Sequence, residues 1–188
     1  MSDQIESLAR SLISEKECEW LEFKKDNANA KMIGEDISAL ANGAALLQRE
    51  QAYMIWGIDD ASHNIVGTNF SPYDKFQGNQ ELISWLHGML SDNVDFAFQE
   101  TSIDNNRIVL LTIKAAIQYP AAFQKEAFIR DGSYTKRISE RASLQTRLWD
   151  RLRNEKFELA KSLINLKADE IENKIDTRIY FDKLSIET

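Results

Sequence analysis

The stretch Ala52-Tyr53-Met54-Ile55-Trp56-Gly57-Ile58-Asp59-Asp60 constrains the fold most, because no charge interrupts it before Asp59. Aromatic and branched side chains fit a pleated, covered surface, so the run reads as a buried strand. Gly57 permits close backbone approach near its end. Asp59, Asp60, Ala61 and Ser62 are turn formers, and Ile65-Val66-Gly67 reads as the returning half of a hairpin. The strand thus carries two carboxylates out of a core and leaves them at a sheet end, where rigid strands commonly position chemistry. A plain Asp-containing turn accounts for the same residues.

Upstream, Ile5, Leu8, Leu12 and Ile13 recur at helical spacing and predict a short helix ending before Ser14. Around Trp20 the pattern turns strand-like. A strand there puts Trp20 and Glu22 on one face and Leu21 and Phe23 on the other. An acid on a covered face is costly unless paired or functional, which singles out Glu22. Alternatively the strand is an edge whose Glu22 faces water. Asp26-Asn27-Ala28-Asn29 is a helix-start signal, and Ile33, Ile37, Leu40, Ala41, Ala44 and Leu47 form one helical face. The opening is therefore β-α-β. Gly43 marks either an early helix end or a close contact.

Ser71-Pro72 predicts a helix over 73–89. Val94–Ile103 and Arg107–Lys114 read as strands joined by an Asp104-Asn105-Asn106 turn, and Ala127–Arg130 as a short strand ending at Asp131-Gly132-Ser133. Leu144, Leu148 and Leu152 imply a helix after Ser139. Phe157, Ala160, Ile164, Ala168, Ile171 and Ile175 continue as an amphipathic helix, Asn154 to Ile175, suited to packing on the domain or pairing with a second chain as a homodimer. The expected division is a domain over 1–153 and, over 154–188, this helix with the start of a further region at Ile179-Tyr180-Phe181.

No apolar run in the 188 residues has the length of a membrane span, and the acidic N-terminus lacks the regions of a signal peptide. A single cysteine, Cys18, excludes an internal disulfide and suits a reducing, cytoplasmic setting. His63, His87 and Cys18 match no zinc spacing, and phosphate-loop and nucleophile-elbow motifs are absent. The net charge of −7 argues against a generic polyanion binder. The charge is uneven, however. Residues 130–153 hold seven basic and three acidic side chains, a window at +4 that leaves −11 on the rest. Such asymmetry marks either an anion-facing surface or a solvated helix face laced with salt bridges.

Four segments together resemble a family. Glu17-Cys18-Glu19-Trp20-Leu21-Glu22-Phe23-Lys24 resembles an E-x4-E-F-K element. Ile37-Ser38-Ala39-Leu40-Ala41-Asn42 resembles a helix ending in A-x-A-N. Gly57-Ile58-Asp59-Asp60 with Ile65-Val66-Gly67 is similar to a G-V-D-D-x-G-x-I-x-G hairpin, and Phe128–Ser133 to a Y-x-R-x-G-S strand. These belong to the Schlafen-type AlbA-like domain, and the likeness covers roughly residues 14–153. The resemblance implies an α+β fold, a mixed β-sheet with flanking helices, to which the periodicity adds the C-terminal amphipathic helix. It also implies a nucleic-acid-binding regulatory domain of a transcriptional regulator, on DNA ahead of RNA, with no membrane partner. Arg130, Lys136, Arg137 and Arg141 would then meet the backbone and Ser133 would donate to a phosphate. The alternative it carries is a metal-dependent endoribonuclease. Glu17, Glu22 and Asp60 (or Asp59) would then hold Mg²⁺ or Mn²⁺, hard ions that take oxygen ligands and activate water. Against the nuclease reading, the acids would be structural, with Glu22 pairing with Lys24 or Arg130 inside the fold; a protein-interaction or dimerisation module is the third reading. One departure stands out: the family's Gly-Gly pair before the second strand is replaced by Gly43-Ala44-Ala45-Leu46-Leu47-Gln48-Arg49-Glu50-Gln51, a longer connection.

Overall fold

The computed structural model describes residues 2–59, 62–132 and 134–164. The chain divides into two compact units, Met1–Leu152 and Arg153–Thr188. The first opens with helix α1 (Ser2–Ile13), strand β1 (Leu21–Lys24), helix α2 (Ala30–Leu46) and strand β2 (Gln51–Trp56). A small hairpin, β3 (Phe76–Gln77) and β4 (Gln80–Glu81), leads into helix α3 (Leu82–Met89). Strands β5 (Phe96–Ile103) and β6 (Asn106–Lys114) follow, then β7 (Ala122–Phe123), β8 (Glu126–Asp131) and β9 (Tyr134–Arg137). A 3-10 turn (Ile138–Glu140) precedes helix α4 (Ala142–Ile164), which runs across the boundary into the second unit. The amphipathic helix expected to continue to Ile175 lies beyond Ile164 outside the described residues, as does Ile179-Tyr180-Phe181.

The fold is α+β, with a mixed four-stranded sheet in the order β1-β2-β6-β5. β1 runs parallel to β2 with Glu22 opposite Met54, and the other pairings are antiparallel. Alternation along the strands sends side chains to two cores. Leu21, Phe23, Ile55 and Leu110 pack with Ala9 and Leu12 of α1, whereas Met54, Trp56, Val109 and Leu111 pack with Ile33, Ile37 and Leu40 of α2. Trp56 is fully buried beside Phe70 at 4.7 Å, and its indole N–H donates to the Asn27 carbonyl at 2.8 Å. That partner removes the cost of burying the nitrogen.

Helix α2 starts where Asn29 accepts a hydrogen bond from the Met32 amide at 3.1 Å, an N-cap of the expected type. It is covered on more than its apolar stripe, because the antiparallel sheet β7-β8-β9 lies across it. Two polar side chains one turn apart make that junction. Ser38 donates to the Ala121 carbonyl at 2.8 Å and accepts from the Phe128 amide at 3.0 Å. Asn42 donates to the carbonyls of Ala121 and Phe128 and accepts from the Ala121 amide, all at 2.8–2.9 Å. Both residues are wholly buried, and their bonds satisfy groups that would otherwise be orphaned.

Two local expectations are corrected. The helix expected over 73–89 begins only at Leu82, because Gly78 at φ +61 turns the chain into the β3–β4 hairpin. Ile65–Gly67 returns beside β2 through a single bridge, Ile58 to Ile65, not a full strand. At Gly43 the helix does not end. A Cβ there would sit 2.0 Å from the Glu19 carbonyl oxygen, so the glycine is a close contact between α2 and the segment entering β1.

Candidate nucleic-acid interface

The β8–β9 hairpin gathers most of the basic residues singled out above. Gly132, at φ +62, turns the chain between the strands, and the register sets Arg130 opposite Thr135 and Ile129 opposite Lys136. Alternation then divides their roles. Arg130 and Thr135 face α2, whereas Tyr134 and Lys136 share the other face.

Arg130 is 3% exposed and Glu22 is 5% exposed. Arg130 Nη2 stands against Glu22 Oε2 as an ion pair that is out of hydrogen-bond alignment, and Arg130 Nε has no acceptor among the described residues. Glu22 Oε1 accepts from Lys24 Nζ. Lys24 in turn lies 3.6 Å from Asp36 of α2, and Asp36 accepts from the Thr135 hydroxyl at 2.7 Å. Four charged groups from β1, α2 and β8 thus form one alternating cluster beneath the hairpin. Burial pushes the Glu22 carboxyl upward; Lys24 and Arg130 oppose that shift and Glu17 adds to it. Burial pulls Lys24 down, but Asp36 and Glu22 outweigh it and its net shift is upward.

The cations above this cluster are accessible. Arg137 and Arg147 are exposed, and Lys136 is half-buried with its Nζ 5.6 Å from the Tyr134 ring centre. Arg141 is bonded to Asp131 at 2.6 Å, so its charge is partly compensated. Ser133 lies outside the described residues.

The candidate metal ligands are placed differently. Glu17 accepts from the Phe23 amide at 2.8 Å, covering the free edge of β1. Asp59 sits in its own turn, where its carboxylate takes the Ser62 amide at 3.0 Å and the Ser62 hydroxyl at 2.8 Å. Asp60 lies outside the described residues. Among the described residues no group of three His, Cys, Asp or Glu side chains is arranged to hold a metal ion. Glu17 and Glu22 are near enough to interact electrostatically, yet Glu22 already faces two cations.

Sequence reasoning passed over Asp36 and Tyr134. Asp36 had a signal: it falls three positions after Ile33 and four before Leu40, on the apolar face of α2, where an unpaired acid is costly. Tyr134 had none beyond its place after a turn.

An α+β domain with a basic hairpin braced on a buried charge cluster is what the geometry defines. The Schlafen, AlbA_2 family matches residues 17–139, and the chain belongs to that family. No curated protein matches the chain. Among solved structures, the DIP2311 protein from Corynebacterium diphtheriae is similar at 17% identity with a TM-score of 0.47, over 72% of this chain. The chain spans 30% of that protein's length. No described helix is long and apolar enough to cross a membrane.

Proposed function

We propose that this domain binds nucleic acid, DNA first, through the β8–β9 hairpin and the start of α4, and serves as the binding domain of a transcriptional regulator. The observation that carries the reading is the accessible set Lys136, Arg137 and Arg147 in an otherwise acidic chain. These residues make the phosphate contacts, with Arg141 at the rim beside Asp131. Arg130 serves from below: locked to Glu22, it fixes β8 and therefore the strand that presents Lys136 and Arg137.

Phosphate contacts release condensed counterions, so the logarithm of affinity falls linearly with the logarithm of salt, by about 0.9 per phosphate on duplex DNA. Fluorescence anisotropy on a labelled duplex is expected to show that slope. Lys136→Ala with Arg137→Ala is expected to flatten it by about 1.8, two contacts' worth. A salt-independent affinity, or a slope unmoved by the double substitution, contradicts the reading. The nuclease alternative requires Glu17, Glu22 and Asp60 around one divalent ion. Binding is preferred because Glu22 is already neutralised by Lys24 and Arg130.

A further inference from the structure

We infer that the nucleic acid this hairpin takes is single-stranded or locally unpaired, with Tyr134 as the platform on which one base stacks. The inference rests on the nucleic-acid reading above and adds the structural class of the partner.

Tyr134 opens β9 and is 69% exposed, more than any other large apolar or aromatic side chain described. A ring so open, met within the chain by the Lys136 ammonium, keeps most of its surface for a partner from outside. Its setting selects that partner. Lys136 Nζ stands 5.6 Å from the ring centre, on the same face of the strand; Asp131, opposite Tyr134, is neutralised by Arg141, and Arg137 is exposed at the strand's end on the other face. β9 is the outer strand of its sheet, paired only with β8, so the ring and Lys136 sit on an open margin.

An exposed aromatic beside a cation, with more cations along the same strand, is a combination that tracks a single strand. The cations take the backbone, and the ring takes a base face that a duplex hides in its own stack. An apolar protein partner would meet the Lys136 ammonium beside the ring and would have to desolvate it. A duplex would engage the cations and leave Tyr134 idle. The charge pattern and the ring are used together only by an unpaired nucleotide.

The test compares a labelled single strand with the duplex of the same sequence, at one salt concentration, using the full chain. The parent is expected to bind the single strand more tightly. Tyr134→Ala is expected to weaken single-strand binding by roughly five- to 150-fold, the range for losing one base stack, and to leave duplex binding and the salt slope unchanged. Tyr134→Phe keeps the ring and is expected to retain binding. Equal or tighter binding of the duplex, or a Tyr134→Ala protein indistinguishable from the parent on the single strand, overturns this inference and leaves the nucleic-acid reading standing. Failure of the parent to bind either form overturns both. Because Tyr134 is exposed, its variants are not expected to disturb folding.

Discussion

Arg130 of β8 and Glu22 of β1 meet inside the fold, joining the last sheet of the domain to its first strand. Neither strand is a sequence neighbour of the other, and α2 lies between their sheets. The pair is therefore a cross-layer tie. Removing one partner strands a buried charge, which typically costs about 3–5 kcal/mol. Glu22→Ala, which leaves the buried Arg130 without its carboxylate, is expected to lower unfolding stability by that amount in urea titration. Replacing both partners with apolar residues of similar volume, Glu22→Leu with Arg130→Met, is expected to cost clearly less, since neither charge is left alone and Lys24 keeps Asp36. Equal losses in the two proteins would refute the tie.

The Glu22 carboxyl sets a pH dependence. Its affinity for a proton is higher folded than unfolded, because burial outweighs the attraction of Lys24 and Arg130. The folded state thus binds more protons across the interval above the ordinary carboxylate range. Stability falls with pH wherever the folded state holds the extra proton. The parent's advantage over Glu22→Gln is therefore expected to shrink as pH rises from the ordinary carboxylate range through the raised Glu22 value. Denaturant titrations over that interval measure it; an advantage that grows with pH contradicts the assignment.

Two helical glycines should respond in opposite ways. At Gly43 a methyl group meets the backbone oxygen of Glu19, which has no rotamer to escape by, so Gly43→Ala is expected to cost about 1–3 kcal/mol or more. At Gly88 in α3 a Cβ meets nothing within 4 Å, so Gly88→Ala is expected to be neutral or to add up to about 1 kcal/mol through helix propensity. Thermal unfolding of the two variants compares them directly.

The charge cluster also bears on metal chemistry. A divalent ion at Glu22 would have to displace Lys24 and Arg130 from the same carboxylate. Structured RNA incubated with the protein and Mn²⁺ is expected to stay intact, and the parent and Glu22→Ala proteins to behave alike. Mn²⁺-dependent cleavage that Glu22→Ala abolishes would restore the nuclease reading.

Much of the framework was legible in the chain because local periodicity reports burial directly. The run before Asp59 named β2, the period-2 pattern around Trp20 separated Glu22 from Leu21 and Phe23, and Asn29 with its helical stripe marked α2. The charge count located the basic window, because composition needs no coordinates. Pairing across the fold was a different matter. Glu22 was legible as an acid needing a partner. Lys24 and Arg130 were the partners the sequence offered; that Glu22 takes both, and that Asp36 and Thr135 complete the cluster, depends on a second sheet crossing α2. Likewise the pattern could not separate Arg130, sealed beneath the hairpin, from Arg137, open on its margin. Both are arginines near one turn, and the register of β9 on β8 even sets them on one face; the cover over Arg130 within β8 and the place of Arg137 at the end of the outer strand decide which one water reaches. A side chain's periodicity is local, whereas its neighbours are set by long-range packing, so sequence alone determined the elements and tertiary structure assigned the charges their work.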